Sequence, residues 1–352
     1  MFEQLLREWD GRQVCLRFDR PTDTWMFVCV HDTTLGPGMG GTRMKPYGAP
    51  VEALADGLKL AEAMTLKQAA AGLPYGGAKA VLAVPRVPPP GSPARRELLL
   101  RYAGLVDGLG GTYVTAADMN TGPSDMDVIG ERTTHVLGRN TTNGGSGDSG
   151  HGTAIGVFHG IRASVAYAFG DPDLAGRVVL VQGVGSVGAR LARLLHGAGA
   201  TLILSDVETA RAEALEGELG ATLVSPDDVV DTRCDVLAPC ATGGLLSSET
   251  IPRLACRVVA GSANNQLATA ADGDRLADAG ILYAPDYVIN AGGVIHLAGY
   301  ETLGWDDAQM AARLAGIGGT LETVFATAET EGISTAAAAD RMARGRIEAA
   351  AG

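Results

Sequence analysis

The chain has 352 residues, 46% hydrophobic and 19% charged, more than one hydrophobic core usually serves and enough apolar material for two. Its formal net charge of −12 opposes the Lys and Arg excess that a phosphate backbone or anionic lipid demands, so neither nucleic acid nor membrane is an expected partner. No apolar run reaches the ~18 residues of a membrane span, and the opening MFEQLLREWD carries acids where a signal peptide would be basic and then apolar, so a cytoplasmic protein is expected.

VCLRFDR and WMFVCVHD, within residues 13–33, are rich in β-branched and aromatic residues and are separated by Pro21-Thr22-Asp23, which predicts a hairpin. From Val51 to Ala71, Leu54, Leu58, Ala61 and Met64 recur at spacings of three and four, a helical stripe with Lys67 in its last turns. Ala80 to Val84 reads as a short buried strand. PRVPPPGSP after it continues neither helix nor ladder, since proline lacks a donor.

Tyr113-Val114-Thr115 reads as a strand leading into Asp118, and Asp125 and Asp127 are suited to capping the helix that follows. RNTTNGGSGDSGHG, residues 139–152, is the clearest compositional break in the chain and places a domain boundary there. Beyond it the pattern gives a helix at about 154–168, a strand VVLVQ at 178–182, a helix near 187–198 and a strand TLILSD at 201–206, which is a βαβ unit. Short strands at Val236 to Leu237, Val258 to Ala260 and Ile281 to Tyr283 continue a parallel sheet. From Ala308 the Ala-rich sequence predicts helices, with a break at Gly318-Gly319.

Five cysteines without CxxC spacing and six scattered histidines signal neither a disulfide framework nor a metal site. Gly183-Val184-Gly185-Ser186-Val187-Gly188 does carry a signal. It fits G-x-G-x-x-G between a strand and a helix, with Asp206 ending the next strand. Glycines allow close backbone approach, the helix N-terminus offers N–H groups to a pyrophosphate, and Asp206 accepts from ribose hydroxyls while repelling a 2′-phosphate. This predicts a Rossmann domain that binds NAD.

GPGMGGTRM, Gly36 to Met44, reads as a glycine loop whose backbone N–H groups can approach a carboxylate. Lys67 and Lys79 stand among small apolar residues, where lost hydration lowers the pKa of an ammonium toward that of a general base. Asp118, at a strand end, is a candidate partner.

GPGMGGTRM, MTLKQAAAGLPYGGAK, TAADMNT, QGVGSVG, CDVLAPCA, GSANNQL and APDYVINAGGVI, in this order, resemble the Glu/Leu/Phe/Val dehydrogenase family over nearly the whole chain, nearest in look to its leucine, valine and phenylalanine members. The resemblance implies an α/β protein of two domains with catalysis in the cleft between them. Residues 1–142 would bind substrate and make oligomer contacts, residues 143–325 would bind NAD, and helices at about 326–352 would return to the first domain. A homo-oligomer is implied, an octamer or a dimer.

By motif, the resemblance gives Lys67 the substrate carboxylate, helped by the Gly40 backbone, and gives Lys79 the water that attacks the imine. Asp118 would shuttle the amino-group proton. Met39, Met64, Ala116, Asn265, Val294 and Leu297 would line the substrate, and Thr153, Cys240, Ala241 and Asn264 would join the Gly183 turn around NAD. Glutamate enzymes of the family hold a side-chain carboxylate with a lysine and a hydroxyl where this chain has Met39 and Val294. An apolar L-amino acid is therefore expected to be deaminated oxidatively and reversibly to its 2-oxo acid and ammonia. Bulk at Met39, Ala116 and Val294 favours leucine, valine or isoleucine over phenylalanine. A 2-hydroxy-acid dehydrogenase would need a His and Arg pair instead, and an inactive nucleotide-sensing homologue would have lost a catalytic group, whereas all three candidates are present.

Overall fold

The computed structural model describes residues 2–352, which fall into two compact units. The first comprises Met1–Ser149, Leu297–Gly304 and Ala343–Gly352, and the second Gly150–His296 and Trp305–Met342.

In the first unit, α1 (Phe2–Glu8) precedes the hairpin β1 (Gln13–Asp19) and β2 (Thr24–Asp32), whose turn ends with Asp23 in the left-handed region, as turn chemistry requires. Next come β3 (Gly38–Lys45), α2 (Pro50–Ala71), β4 (Gly76–Ala83), α3 (Pro93–Asp107), β5 (Tyr113–Ala117) and α4 (Pro123–Gly130). The sheet order is β1-β2-β4-β3-β5, antiparallel at the hairpin side and parallel across β4, β3 and β5. Strand alternation sorts β2 onto two cores. Met26, Val28 and Val30 pack with Leu98, Leu99 and Tyr102 of α3, while Phe27 and Cys29 pack with Leu54, Leu58 and Ala61 of α2.

The GPGMGGTRM segment is a correction to the loop expectation. From Gly38 onward it is a central strand, hydrogen-bonded on both sides. Gly40 lies so close to β4 that a Cβ there would sit 1.7 Å from the Ala78 carbonyl oxygen, so glycine is a packing requirement of the sheet.

The second unit opens with α5 (Gly150–Phe169), followed by β6 (Val178–Gln182), α6 (Ser186–Gly197), β7 (Thr201–Ser205), α7 (Thr209–Leu219), β8 (Thr222–Leu223), β9 (Val236–Pro239) and β10 (Val258–Val259). Then come α8 (Ala271–Asp278), β11 (Leu282–Tyr283), α9 (Asp286–Ile289), α10 (Gly292–Glu301), which is grouped with the first unit from Leu297, α11 (Asp307–Glu331) and α12 (Thr335–Ala351), which is grouped with the first unit from Ala343. All six strands are parallel in the order β11-β10-β9-β6-β7-β8, which reverses direction between β6 and β9. Residues β6 to β11 thus follow the doubly wound dinucleotide-binding order, and the crevice for a ligand lies beyond the C-terminal ends of β6 and β9.

The break expected at Gly318-Gly319 does not occur: α11 runs unbroken to Glu331 and ends at Gly332 in the left-handed conformation. Gly318 instead rests against the His159 carbonyl of α5, where a small residue lets the two helices close on each other. The C-terminal residues grouped with the first unit are Ala343–Gly352. Among the described residues, no helix is long and apolar enough to cross a membrane.

Candidate active site

The parallel strands β3, β4 and β5 lie side by side, and the reactive groups of the first unit stand on them or just after them. Lys79 sits in β4 with its side chain only 6% exposed, and its Nζ lies 3.1 Å from Asp118 Oδ2. Burial drives the Lys79 ammonium below its usual pKa, with the Asp118 carboxylate opposing that fall and the Arg43 cation adding to it. For Asp118, burial pushes the carboxyl upward, but the Lys79 and Arg43 cations outweigh it and hold the group at about 2.

Lys67 is half-buried in the penultimate turn of α2, one turn beyond the half-buried Met64. That helix presses closely on β4: a Cβ on Gly77 would meet the Thr65 backbone at 2.1 Å. The turn carrying Lys67 therefore lies against the strand carrying Lys79. Met39 and Ala116 are buried on β3 and β5, and Leu297 is buried on α10. Val294, in the first turn of α10, is half-buried.

Beneath the strand ends lies a buried hydroxyl cluster that the sequence did not suggest. Thr42 Oγ1 is 2.6 Å from both Tyr102 Oη and Thr115 Oγ1, and Tyr113 Oη donates to the Gly40 carbonyl at 2.7 Å. Four hydroxyls that satisfy one another lock β3 to β5 and α3, and fix the Gly40 backbone. Also absent from the sequence reading is Arg43, whose Nε donates to Asp118 Oδ2 at 2.9 Å and whose Nη1 reaches Asp56 at 3.1 and 3.3 Å. The only sequence signal for it is an arginine two residues beyond the glycine pair Gly40-Gly41, pointing off the same strand.

In the second unit the Gly183–Gly188 turn joins β6 to α6, with Gly185 as N-cap. Gly183 has φ +89°, which favours glycine, and a Cβ on Gly188 would lie 1.9 Å from the Gly183 carbonyl, so the helix can pack on the strand only without one. Open space surrounds the Cβ position of Gly185. Asp206, just after β7, accepts from the Val184 N–H at 2.7 Å and from the Glu208 N–H at 2.8 Å, so its carboxylate stands at the lip of the turn.

Cys240 donates its N–H to the Gln182 carbonyl at 2.7 Å, and Ala241 abuts Gly183. Burial pushes the Cys240 thiol up, which disfavours the thiolate. Asn264 and Asn265 are exposed in the turn after β10. Asn264 Oδ1 accepts from Asn290 Nδ2 at 2.9 Å, and Asn265 holds φ +53°, a strained conformation concentrated at working sites. Thr153 is half-buried in the first turn of α5.

The chain matches the family description "Glu/Leu/Phe/Val dehydrogenase, dimerisation domain" over residues 24–135 and "Glutamate/Leucine/Phenylalanine/Valine dehydrogenase" over residues 203–351. It is 44% identical to leucine dehydrogenase of Thermoactinomyces intermedius over 346 residues, covering 97% of this chain and 92% of the relative. It is also 44% identical to valine dehydrogenase of Streptomyces albus over 338 residues, covering 95% and 92%. Among solved structures, the L-tryptophan dehydrogenase of Nostoc punctiforme superimposes with a TM-score of 0.82 at 38% identity, covering 99% of each chain.

Proposed function

Because the chain belongs to the Glu/Leu/Phe/Val dehydrogenase family, we propose that it acts on leucine, valine or isoleucine with NAD, releasing the 2-oxo acid and ammonia. It is an amino acid dehydrogenase that deaminates a branched-chain substrate. The observation that carries the assignment of roles is the buried contact of Lys79 with Asp118 at 3.1 Å.

The second unit suits a dinucleotide. Gly183, Val184, Gly185, Ser186, Val187 and Gly188 would take the pyrophosphate at the start of α6, and Asp206 the adenosine ribose. Thr153, Cys240, Ala241 and Asn264 would contact the nicotinamide end. When bound, NAD supplies a hydride acceptor for the substrate's Cα hydrogen.

The chain's own residues do the remainder. Lys67 pairs with the substrate carboxylate beside the Gly40 backbone, and Asn265 adds a hydrogen bond. Asp118, an ionised acceptor at neutral pH, takes a proton from the substrate ammonium and returns it to the departing ammonia. Lys79, with its pKa lowered by burial, takes the proton of the water that adds to the iminium carbon, and the carbinolamine then collapses to the 2-oxo acid. No charged group stands at Met39, Met64, Ala116, Val294 or Leu297. A glutamate side chain would lose its hydration there without a partner, at a cost on the order of several kcal/mol.

A homo-oligomer built through the first unit fits the dimerisation-domain match, and a cytoplasmic location fits five free thiols. The test is NADH formation, followed by absorbance, across leucine, valine, isoleucine, phenylalanine and glutamate. Branched-chain substrates should lead in kcat/KM and glutamate should be inert. Phenylalanine ahead of all three branched-chain substrates would overturn the pocket reading.

A further inference from the structure

Arg43, Asp56 and Tyr47 form a linked set that the roles above leave unused. The Arg43 side chain is 15% exposed and spans two carboxylates, with Nε on Asp118 Oδ2 at 2.9 Å and Nη1 on Asp56 Oδ2 at 3.1 Å. Asp56, on α2, is fixed in turn by Tyr47, whose hydroxyl donates to Oδ2 at 2.5 Å. A guanidinium presents its N–H groups in a rigid plane, so bracing one edge on Asp56 fixes the direction of the other.

The geometry on Asp118 is one-sided. Arg43 Nε and Lys79 Nζ both converge on Oδ2, while Oδ1 accepts no hydrogen bond among the described residues. Two cations on one oxygen set the rotation of the carboxylate.

We infer that Arg43 is a positioning residue for deamination: braced on Asp56, it holds Asp118 Oδ2 against Lys79 and presents Oδ1 to the substrate's amino group. The inference rests on the assignment of Lys79 and Asp118 as base and proton shuttle. Arg43 touches neither substrate nor reacting atoms, so it acts through the orientation of Asp118 and through its charge beside Lys79.

The charged and titratable groups around Lys79 are Asp118 after β5, Arg43 on β3 and Asp56 on α2, with Tyr47 behind Asp56, the Cys29 thiol opposite it on β2 and Lys67 on the adjoining turn of α2. Removing Arg43 deletes a like charge that lowers the Lys79 pKa and a cation that lowers the Asp118 pKa. Both groups then titrate higher, and Lys79 holds its proton to a higher pH.

The experiment is the pH profile of leucine deamination by the full-length chain carrying Arg43→Gln, Arg43→Lys or Asp56→Asn. Arg43→Gln should lower kcat by about 100-fold, the scale of a misplaced catalytic group, while KM changes less than about threefold. The limb on which activity rises with pH should move to higher pH. Asp56→Asn removes an anion that raises the Lys79 pKa and leaves the Arg43 charge in place, so it should move the limb to lower pH with a smaller loss of kcat, and guanidinium ion added to Arg43→Ala should recover part of kcat where ammonium does not. NADH binding by each variant, followed by fluorescence, verifies folding; should Arg43→Gln not fold, Asp56→Asn decides by the same limb. An unmoved limb in the folded variants, or kcat within about threefold of the parent, overturns the inference. If Lys79→Ala and Asp118→Asn stay active, the underlying reading falls instead; if they are dead while Arg43→Gln is unaffected, only the present inference falls.

Discussion

Asp206 Oδ2 and the Val184 N–H are joined by a 2.7 Å hydrogen bond across the mouth of the glycine turn, which holds a carboxylate where an adenosine ribose would arrive. A 2′-phosphate brought to that place meets a like charge, and such juxtaposition costs several kcal/mol. NAD should therefore exceed NADP in kcat/KM by at least about 100-fold, and Asp206→Ser should narrow the ratio mainly by improving NADP. Steady-state kinetics with both cofactors checks this, and equal kcat/KM in the parent would remove Asp206 from the ribose.

Lys79→Ala should reduce kcat by about 10³ to 10⁴, the upper range for loss of a general base, and still bind NADH, because the nucleotide turn belongs to the other unit. Single-turnover absorbance and NADH fluorescence separate the two effects. Retained kcat within about tenfold would refute the role.

Asp118 also links stability to pH. Its folded carboxyl titrates at about 2, below its ordinary 3.8, so the unfolded chain binds more protons between those values and stability rises with pH across that window. The contribution is fully present above about 4 and is lost as pH falls toward 2. Asp118→Asn, which leaves the Lys79 ammonium buried without its anion, should have a lower Tm than the parent at neutral pH. The gap should narrow as pH falls below about 4, as calorimetry from pH ~7 to ~3 would show. A gap independent of pH would mean the carboxylate is not the source.

The elements that were legible in the sequence are those where one local pattern dominates. VVLVQ at 178–182 has no polar residue until its end, and it is the central strand β6 as bounded. The glycine turn between β6 and α6 was legible because its spacing marks where backbone must pass without side chains. What was missed depended on neighbours remote in sequence. Four glycines in six positions look like a loop, yet β3 needs them so that β4 can come close at Gly40. Likewise Gly318-Gly319 looks like a helix break until α5 is seen against it. Helix α3 was hidden behind PRVPPPGSP, although Ser92 and Pro93, a cap and a first-turn proline, mark its start. Arg43, Asp56 and Asp118 lie 13 and 75 residues apart along the chain, and no periodicity links them.

The two kinds of glycine should behave oppositely on substitution. Gly40→Ala places a methyl 1.7 Å from the Ala78 carbonyl in the central sheet, where backbone cannot give way, and should cost about 3 kcal/mol or more. Gly104, exposed within α3, has open space at its Cβ, and Gly104→Ala should stabilise by about 0.5 to 1 kcal/mol through helix propensity. Urea unfolding of both variants gives the comparison, and a tolerated Gly40→Ala would mean the strands are further apart than described.

Side-chain selection should follow volume at Met39, the 1% exposed residue of β3 that pairs with Val114 in register. Replacing it by alanine removes bulk that would meet a long side chain, and one methylene-sized change in an apolar pocket is worth about 1 to 3 kcal/mol. Met39→Ala should thus shift the phenylalanine-to-leucine ratio of kcat/KM upward by roughly 10- to 200-fold, without giving activity on glutamate, since no cation is created. Competition assays with the two amino acids read this directly. An unchanged ratio would place Met39 away from the substrate side chain and leave the branched-chain preference to Ala116, Val294 and Leu297.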